Sequence, residues 1–135
     1  MSGARQPEGA RTAARQGGGS PVSSRVRVGL IDGGVGGAAA DAVVAQRCFA
    51  DIAQASAGAF GHGSQIARCV LQHCPSADLL VARVFDHGRE AAVDAVLAGL
   101  AWLVDQGVQL VNMSFGMGRA SPRFAHACRA AADAG

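Results

Sequence analysis

The sequence predicts an α/β protein in which helices cover both faces of a mostly parallel, doubly wound sheet. Short runs rich in β-branched residues alternate with longer alanine-rich or amphipathic runs, in the order strand, helix, strand, helix, strand, helix. The composition is that of a globular domain, because 50% of the residues are hydrophobic and only 16% are charged. The alternation therefore predicts a three-layer arrangement with right-handed crossovers between parallel strands.

The first part of the chain divides into a tail and a strand. Residues 1–24 are rich in Arg, Gly, Ser, Ala and Gln and contain no hydrophobic block, which indicates a flexible tail rather than a signal peptide. The domain is predicted to span residues 25–135. Residues 25–31 form a β-branched run that ends at Asp32, so we expect a buried strand there, and residues 33–37 then break the chain with glycine.

The middle of the chain is predicted to hold two helical regions, a strand and a long helix. Residues 38–53 are alanine-rich, which predicts a partly helical segment. A further helix begins near His62 and ends near Pro75, because proline cannot continue it. Residues 78–85 are predicted to be the second strand, and residues 90–106 a helix with a broad apolar stripe.

The last part of the chain contains the third predicted strand and a final helix. The strand covers residues 108–113, a turn covers residues 115–120, and the helix begins at Ser121. A helix that ends in glycine, here Gly135, normally leads into another strand. We therefore expect residues 25–135 to be the N-terminal portion of a longer domain, with an apolar sheet edge that further strands would cover.

Charge and cysteine content exclude several classes of function. All 12 basic residues are arginine, the net charge is only +2, and four of the arginines lie in the first 25 residues. The rest of the chain is therefore close to neutral, and nucleic acid is not an expected partner. No apolar run approaches the roughly 18 residues of a membrane span. The four cysteines have no paired spacing of the metal-binding type, and we interpret them as reduced thiols in a cytoplasmic protein that holds no metal.

Three candidate functional residues are predicted to meet at one edge of the sheet. Ligand sites in open parallel sheets lie at the carboxyl ends of the strands. Asp32 ends the first strand, Ser114 follows the third, and His62 begins a helix that should start at the same edge. An aspartate that holds an imidazole in this way forms the acid–base half of a Ser-His-Asp triad.

The residues around these positions resemble the signatures of a known family. Residues 31–35 read IDGGV, residues 62–67 read HGSQIA and residues 111–116 read VNMSFG. In this order they resemble the aspartate, histidine and substrate-strand blocks of the subtilisin-like serine peptidases. Residues 75–84, PSADLLVARV, are similar to a further strand of that family. The resemblance runs from about residue 25 to residue 135.

The resemblance implies a role for each of five residues. Asp32 would be the orienting acid and His62 the general base. Ser114, Phe115 and Gly116 would form an edge whose backbone pairs with an extended peptide and lines its specificity pocket. The expected function is therefore that of a serine endopeptidase acting on a peptide or protein substrate, without a cofactor.

The sequence also departs from the family pattern. No serine lies in the G-T-S-x-A context of the family's nucleophile, so we expect that serine and the oxyanion asparagine beyond Gly135, and the chain itself to be inactive. Gly33 replaces the usual Ser or Thr after the aspartate and removes a hydroxyl that could steady the carboxylate. The connection at residues 73–78 is short and lacks the calcium-carrying loop of many relatives. A dedicated intracellular peptide-processing enzyme fits these losses.

Two alternatives remain open at this point. Residues 34–39 (Gly34, Val35, Gly36, Gly37, Ala38 and Ala39) read GVGGAA and follow a strand. This pattern, with Asp51 further on as a ribose-binding acid, is typical of dinucleotide-binding domains. The other alternative is a catalytically dead subtilase-like domain that only binds peptides. Taken singly, Asp32 could merely cap a turn and His62 could be a structural helix-cap residue.

Overall fold

Four parallel strands form the centre of the computed structural model, which describes residues 25–50, 60–85 and 90–135. The predicted tail, residues 1–24, lies outside the described residues. The elements follow one another as β1 (Arg27–Asp32), a 3₁₀-helix (Gly37–Ala42), β2 (Val43–Cys48), α1 (Phe60–His73), β3 (Asp78–Arg83), α2 (Val93–Asp105), β4 (Leu110–Asn112) and α3 (Pro122–Asp133).

The strand order in the sheet is β2-β3-β1-β4, and every pairing is parallel. The predicted α/β class is therefore confirmed. β1 and β3 lie in the centre of the sheet, where Asp32 at the end of β1 faces Arg83 at the end of β3. Parallel strands that are covered on both faces read as continuous apolar runs, and these two central strands do so.

Side chains of β1 and β3 alternate between two apolar clusters, one on each face of the sheet. The cluster on the α1 face contains Val28, Leu30, Leu79, Val81 and, from the helix, Ala67. The cluster on the opposite face contains Ile31, Leu80, Ala82 and, from α2, Val96, Leu100 and Leu103. Helices thus cover both faces of the sheet, and Asp32, whose side chain follows the alternation of Val28 and Leu30, lies on the face covered by α1.

The predicted partly helical segment at residues 38–53 is wrong in its second half. The alanine-rich start forms only the 3₁₀-helix Gly37–Ala42, and Val43–Cys48 is the strand β2. β2 pairs in parallel with β3, and the sheet therefore has four strands where the sequence predicted three. β-branched Val43 and Val44 favour the extended form, and ladder hydrogen bonds to β3 outweigh the weak helix preference of alanine. Residues 51–53 lie outside the described part.

The predictions of the three later helices are confirmed, with shifts at their ends. The helix that contains His62 is Phe60–His73, as the sequence indicates. α2 begins at Val93 instead of residue 90. α3 begins directly after Ser121, whose hydroxyl oxygen accepts a hydrogen bond of 3.2 Å from the amide of Phe124 and caps the helix. No helix in the described part of the chain has the length and apolar character needed to cross a bilayer.

Candidate active site

Asp32 is the buried component of the candidate site. It is the last residue of β1 and is only 2% exposed. Its Oδ1 accepts a hydrogen bond of 2.7 Å from the amide of Gly33. A buried carboxylate needs such donors, because removing it from water without them is costly. The strand end therefore holds the carboxylate in one orientation.

His62 lies against this carboxylate. It belongs to the first turn of α1, and its Nδ1 is 2.8 Å from Oδ2 and 3.0 Å from Oδ1 of Asp32. An ionised carboxylate only accepts hydrogen bonds, so Nδ1 carries a hydrogen, and whenever the ring is neutral Nε2 is the nitrogen with the free lone pair. The His62 side chain is 57% exposed, and within the described residues Nε2 has no hydrogen-bond partner. The His62 ring is thus held by the carboxylate at Nδ1, and Nε2 remains available to act as a base.

A close backbone contact brings the two residues together. A Cβ atom built on Gly63 would lie 2.2 Å from the carbonyl oxygen of Gly34 and 3.1 Å from Oδ1 of Asp32. Only glycine allows the first turn of α1 to approach the loop after β1 this closely. Gly34 itself has a φ of 121°, which other residues rarely adopt. Glycine is therefore structurally required at positions 34 and 63.

Two side chains hold the loop after β1 from outside. Ser64 of α1 accepts a hydrogen bond of 3.0 Å from the amide of Gly36 and lies 3.3 Å from the carbonyl oxygen of the same residue. Gln46 of β2 accepts a hydrogen bond of 2.8 Å from the amide of Val35 and donates one of 3.4 Å to its carbonyl. Sequence reasoning missed Gln46, since it was assigned to a helical segment.

The candidate substrate-binding residues lie after β4. The hydroxyl of Ser114 donates a hydrogen bond of 2.8 Å to Oδ1 of Asn112, so this exposed serine is bonded locally and not to His62. The ring of Phe115 packs edge-on against Phe85, with 5.6 Å between the ring centroids. Gly116 is exposed, and a Cβ there would meet nothing within 4 Å. The backbone around Gly116 is thus free to accept an approaching chain.

An open cleft of about 460 Å³ lies beside Phe115 and Gly116. Its apolar lining includes Phe85, Val93, Val96, Phe115 and Met117, and Glu90 and Arg119 add charge. Sequence reasoning missed Phe85, Val93 and Val96 as cleft residues. One signal was present, because Phe85 follows β3 as Phe115 follows β4, and parallel strands end at the same edge of a sheet.

Other site types find less support in the described residues. No group of His, Cys, Asp and Glu side chains suited to a metal ion is found in the described ranges, and the four cysteines are unpaired. Gly34 and Gly36 of the dinucleotide pattern lie between β1 and a 3₁₀-helix of six residues, and Gly37 is the first residue of that helix. The α-helix N-terminus that would hold a pyrophosphate therefore does not follow them. Asp51 lies outside the described residues.

No protein-family model matches the sequence, and no curated protein matches it. A function for this chain therefore has to be argued from its motifs and from the geometry of Asp32, His62 and the cleft.

Proposed function

We propose that this chain carries the acid–base pair and the peptide-binding edge of a subtilisin-like serine endopeptidase. The observation that carries the proposal is the contact of 2.8 Å between Nδ1 of His62 and the buried carboxylate of Asp32. These two residues come from separate sequence blocks that resemble the family's catalytic blocks, and they meet at the carboxyl end of a central parallel strand.

The geometry fits general base catalysis by His62. Nε2 would take the proton of a serine hydroxyl as the serine oxygen attacks a peptide carbonyl, and Asp32 would stabilise the imidazolium that forms. The imidazolium would then give this proton to the leaving amine. Neither Ser64 nor Ser114 is in position as that nucleophile, because their hydroxyls are hydrogen-bonded to Gly36 and Asn112 and not to His62.

The residues after β4 support peptide as the substrate class. The segment from Ser114 to Gly116 is exposed at its glycine and lies beside an apolar cleft. An extended peptide can form backbone hydrogen bonds with such an edge and place one apolar side chain in the cleft. The expected partner is therefore a peptide or protein in the cytoplasm, and peptide binding without catalysis is the alternative that the same cleft supports.

Fluorophosphonate labelling of the full-length gene product, followed by intact mass measurement, tests the proposal. We expect a single adduct that is lost in His62→Ala, because replacing the histidine of the subtilisin triad lowers turnover roughly a millionfold. His126→Ala, which changes an exposed histidine of α3, is the matched control and should label like the wild type.

A folded, full-length protein that forms no adduct would contradict the peptidase proposal. Binding of an extended peptide by that protein, weakened in Phe115→Ala, would then favour the non-catalytic alternative. An adduct that persists in His62→Ala would place the reactive serine elsewhere and would also overturn the role of His62.

A further inference from the structure

We propose that Arg83 is a positioning residue for the Asp32–His62 pair. Its guanidinium holds Gly33, and Gly33 in turn holds the carboxylate that orients the imidazole. The inference rests on the proposed function for its catalytic meaning, but the alignment that it describes can be measured without any turnover.

The connection runs through one glycine. Arg83 donates a hydrogen bond of 3.1 Å from Nε to the carbonyl oxygen of Gly33. The amide of the same glycine donates the 2.7 Å hydrogen bond to Oδ1 of Asp32. Arg83 faces Asp32 across the β1–β3 register, so its side chain reaches the first residue after the strand. Gly33 is therefore fixed at both its amide and its carbonyl.

The end of β3 fixes two successive carbonyl groups. The amide of Val84 donates a hydrogen bond of 2.9 Å to the backbone oxygen of Asp32, and the next carbonyl, that of Gly33, is bound by Arg83. The amide that contacts the carboxylate lies between these two carbonyls. Its direction is consequently set by Arg83, the last residue of β3, and by Val84, which follows it.

The glycines of this loop make an external support necessary. Gly33 and Gly34 are consecutive, and Gly34 has a φ of 121°. Glycine has more backbone freedom than any other residue, so an unsupported Gly33 amide could turn away from the carboxylate. Gly33 also offers no side-chain hydroxyl at this position. The guanidinium supplies a planar donor with fixed geometry in its place.

Burial increases the cost of losing this alignment. Asp32 is nearly inaccessible, so water cannot readily replace a lost donor to its carboxylate. The carboxylate of Asp32 would then keep only its hydrogen bond with His62, and its orientation would be less well defined. Without Arg83 we therefore expect His62 to keep its place in the fold but to lose the fixed Nδ1–H hydrogen bond.

Nuclear magnetic resonance of the His62 ring in ¹⁵N-labelled protein tests this inference. In the wild type, long-range ¹H–¹⁵N spectra should show the Nδ1–H tautomer, and the Nδ1 hydrogen should exchange slowly with water. In Arg83→Met, which keeps an apolar side chain of similar reach, we expect exchange to be roughly fivefold to tenfold faster, as for the loss of one hydrogen bond. Arg123→Met, in an exposed arginine of α3, is the control and should leave the exchange rate unchanged.

An unchanged tautomer and exchange rate in a folded Arg83→Met protein would overturn the inference. If that variant does not fold, the exchange rate is measured in Arg83→Lys instead. It keeps the positive charge but lacks the Nε donor, so we expect faster exchange, and a rate equal to that of the wild type would overturn the inference.

The failure of the inference is distinguishable from that of the proposed function. Faster exchange in the Arg83 variants of a protein that never reacts with fluorophosphonate would support the positioning role while the peptidase proposal fails. Unchanged exchange in the Arg83 variants of a protein that does react with fluorophosphonate would overturn the positioning role and support the peptidase proposal.

Discussion

The two ring nitrogens of His62 have different surroundings, and this difference defines the candidate site at the scale of single residues. Nδ1 contacts a buried carboxylate, whereas the side chain as a whole is more than half exposed. The sequence could predict this pair, because each member lies in a compact block beside glycine. It could not predict Gln46 or Arg83, since their contacts with the loop after β1 depend on which strands become neighbours.

Gly63→Ala tests whether the close approach of α1 to the loop after β1 is required. The added Cβ would lie 2.2 Å from a backbone oxygen, so helix and loop have to separate. We expect the free energy of unfolding to fall by about 1–3 kcal/mol, as for other overpacked sites. Chemical denaturation gives this value, and the Nδ1–H signal of His62 should be lost in the same protein.

Gly61→Ala is the matched control for this prediction. Gly61 lies in the same first turn of α1, but a Cβ there would meet nothing within 4 Å. Because alanine is the better helix former, we expect stability to be unchanged or to rise by at most about 1 kcal/mol. Equal destabilisation by both substitutions would mean that the contact at Gly63 is not the cause.

At the scale of elements, β2 shows where reading the sequence locally fails. The alanines at residues 38–42 favour helix, and the sequence contains no break between them and Val43. The structure ends the 3₁₀-helix at Ala42 because Val43–Cys48 finds a parallel partner in β3, which is distant in the chain. α1 and α3 were predictable, since a proline after the first and a serine cap before the second are local signals.

Arg27→Met tests the connection between β1 and the end of α2. Nη1 of Arg27 donates a hydrogen bond to the backbone oxygen of Gln106, the residue that caps α2. A cation at a helix C-terminus satisfies a free carbonyl and interacts favourably with the helix dipole. We expect the free energy of unfolding, measured by urea titration, to fall by about 1–2 kcal/mol.

Arg123→Met provides the comparison for Arg27→Met. Arg123 pairs with Asp94 at 2.8 Å, but these side chains are 70% and 78% exposed. Exposed pairs contribute little, so the expected loss is at most about 0.5 kcal/mol. Similar losses in the two variants would indicate that Arg27 acts only as another surface charge.

At the scale of the whole molecule, the sheet has two edges that differ from its centre. In the described part of the chain, β2 pairs only with β3 and β4 only with β1. Each edge strand carries one large apolar side chain that is 54% exposed, Val44 on β2 and Leu110 on β4. Unpaired strand edges with apolar side chains favour association between molecules.

Leu110→Lys should reduce self-association of this protein, because a lysine on an edge strand opposes edge-to-edge pairing. Sedimentation velocity over a concentration series measures the effect. Ala101→Lys adds the same charge on an exposed position of α2 and serves as control. If both variants associate equally, charge alone and not the edge of β4 governs the behaviour.

The central position of β1 also has a consequence for how the protein is made. Arg27 pairs with Asp78 and Val28 with Leu110, so both neighbours of β1 are synthesised long after it. At ribosomal rates of about 5–20 residues per second, this apolar strand waits on the order of several seconds for β4 to emerge. Of the four described strands, β1 is therefore made first, and its pairing is completed only when β4 joins it.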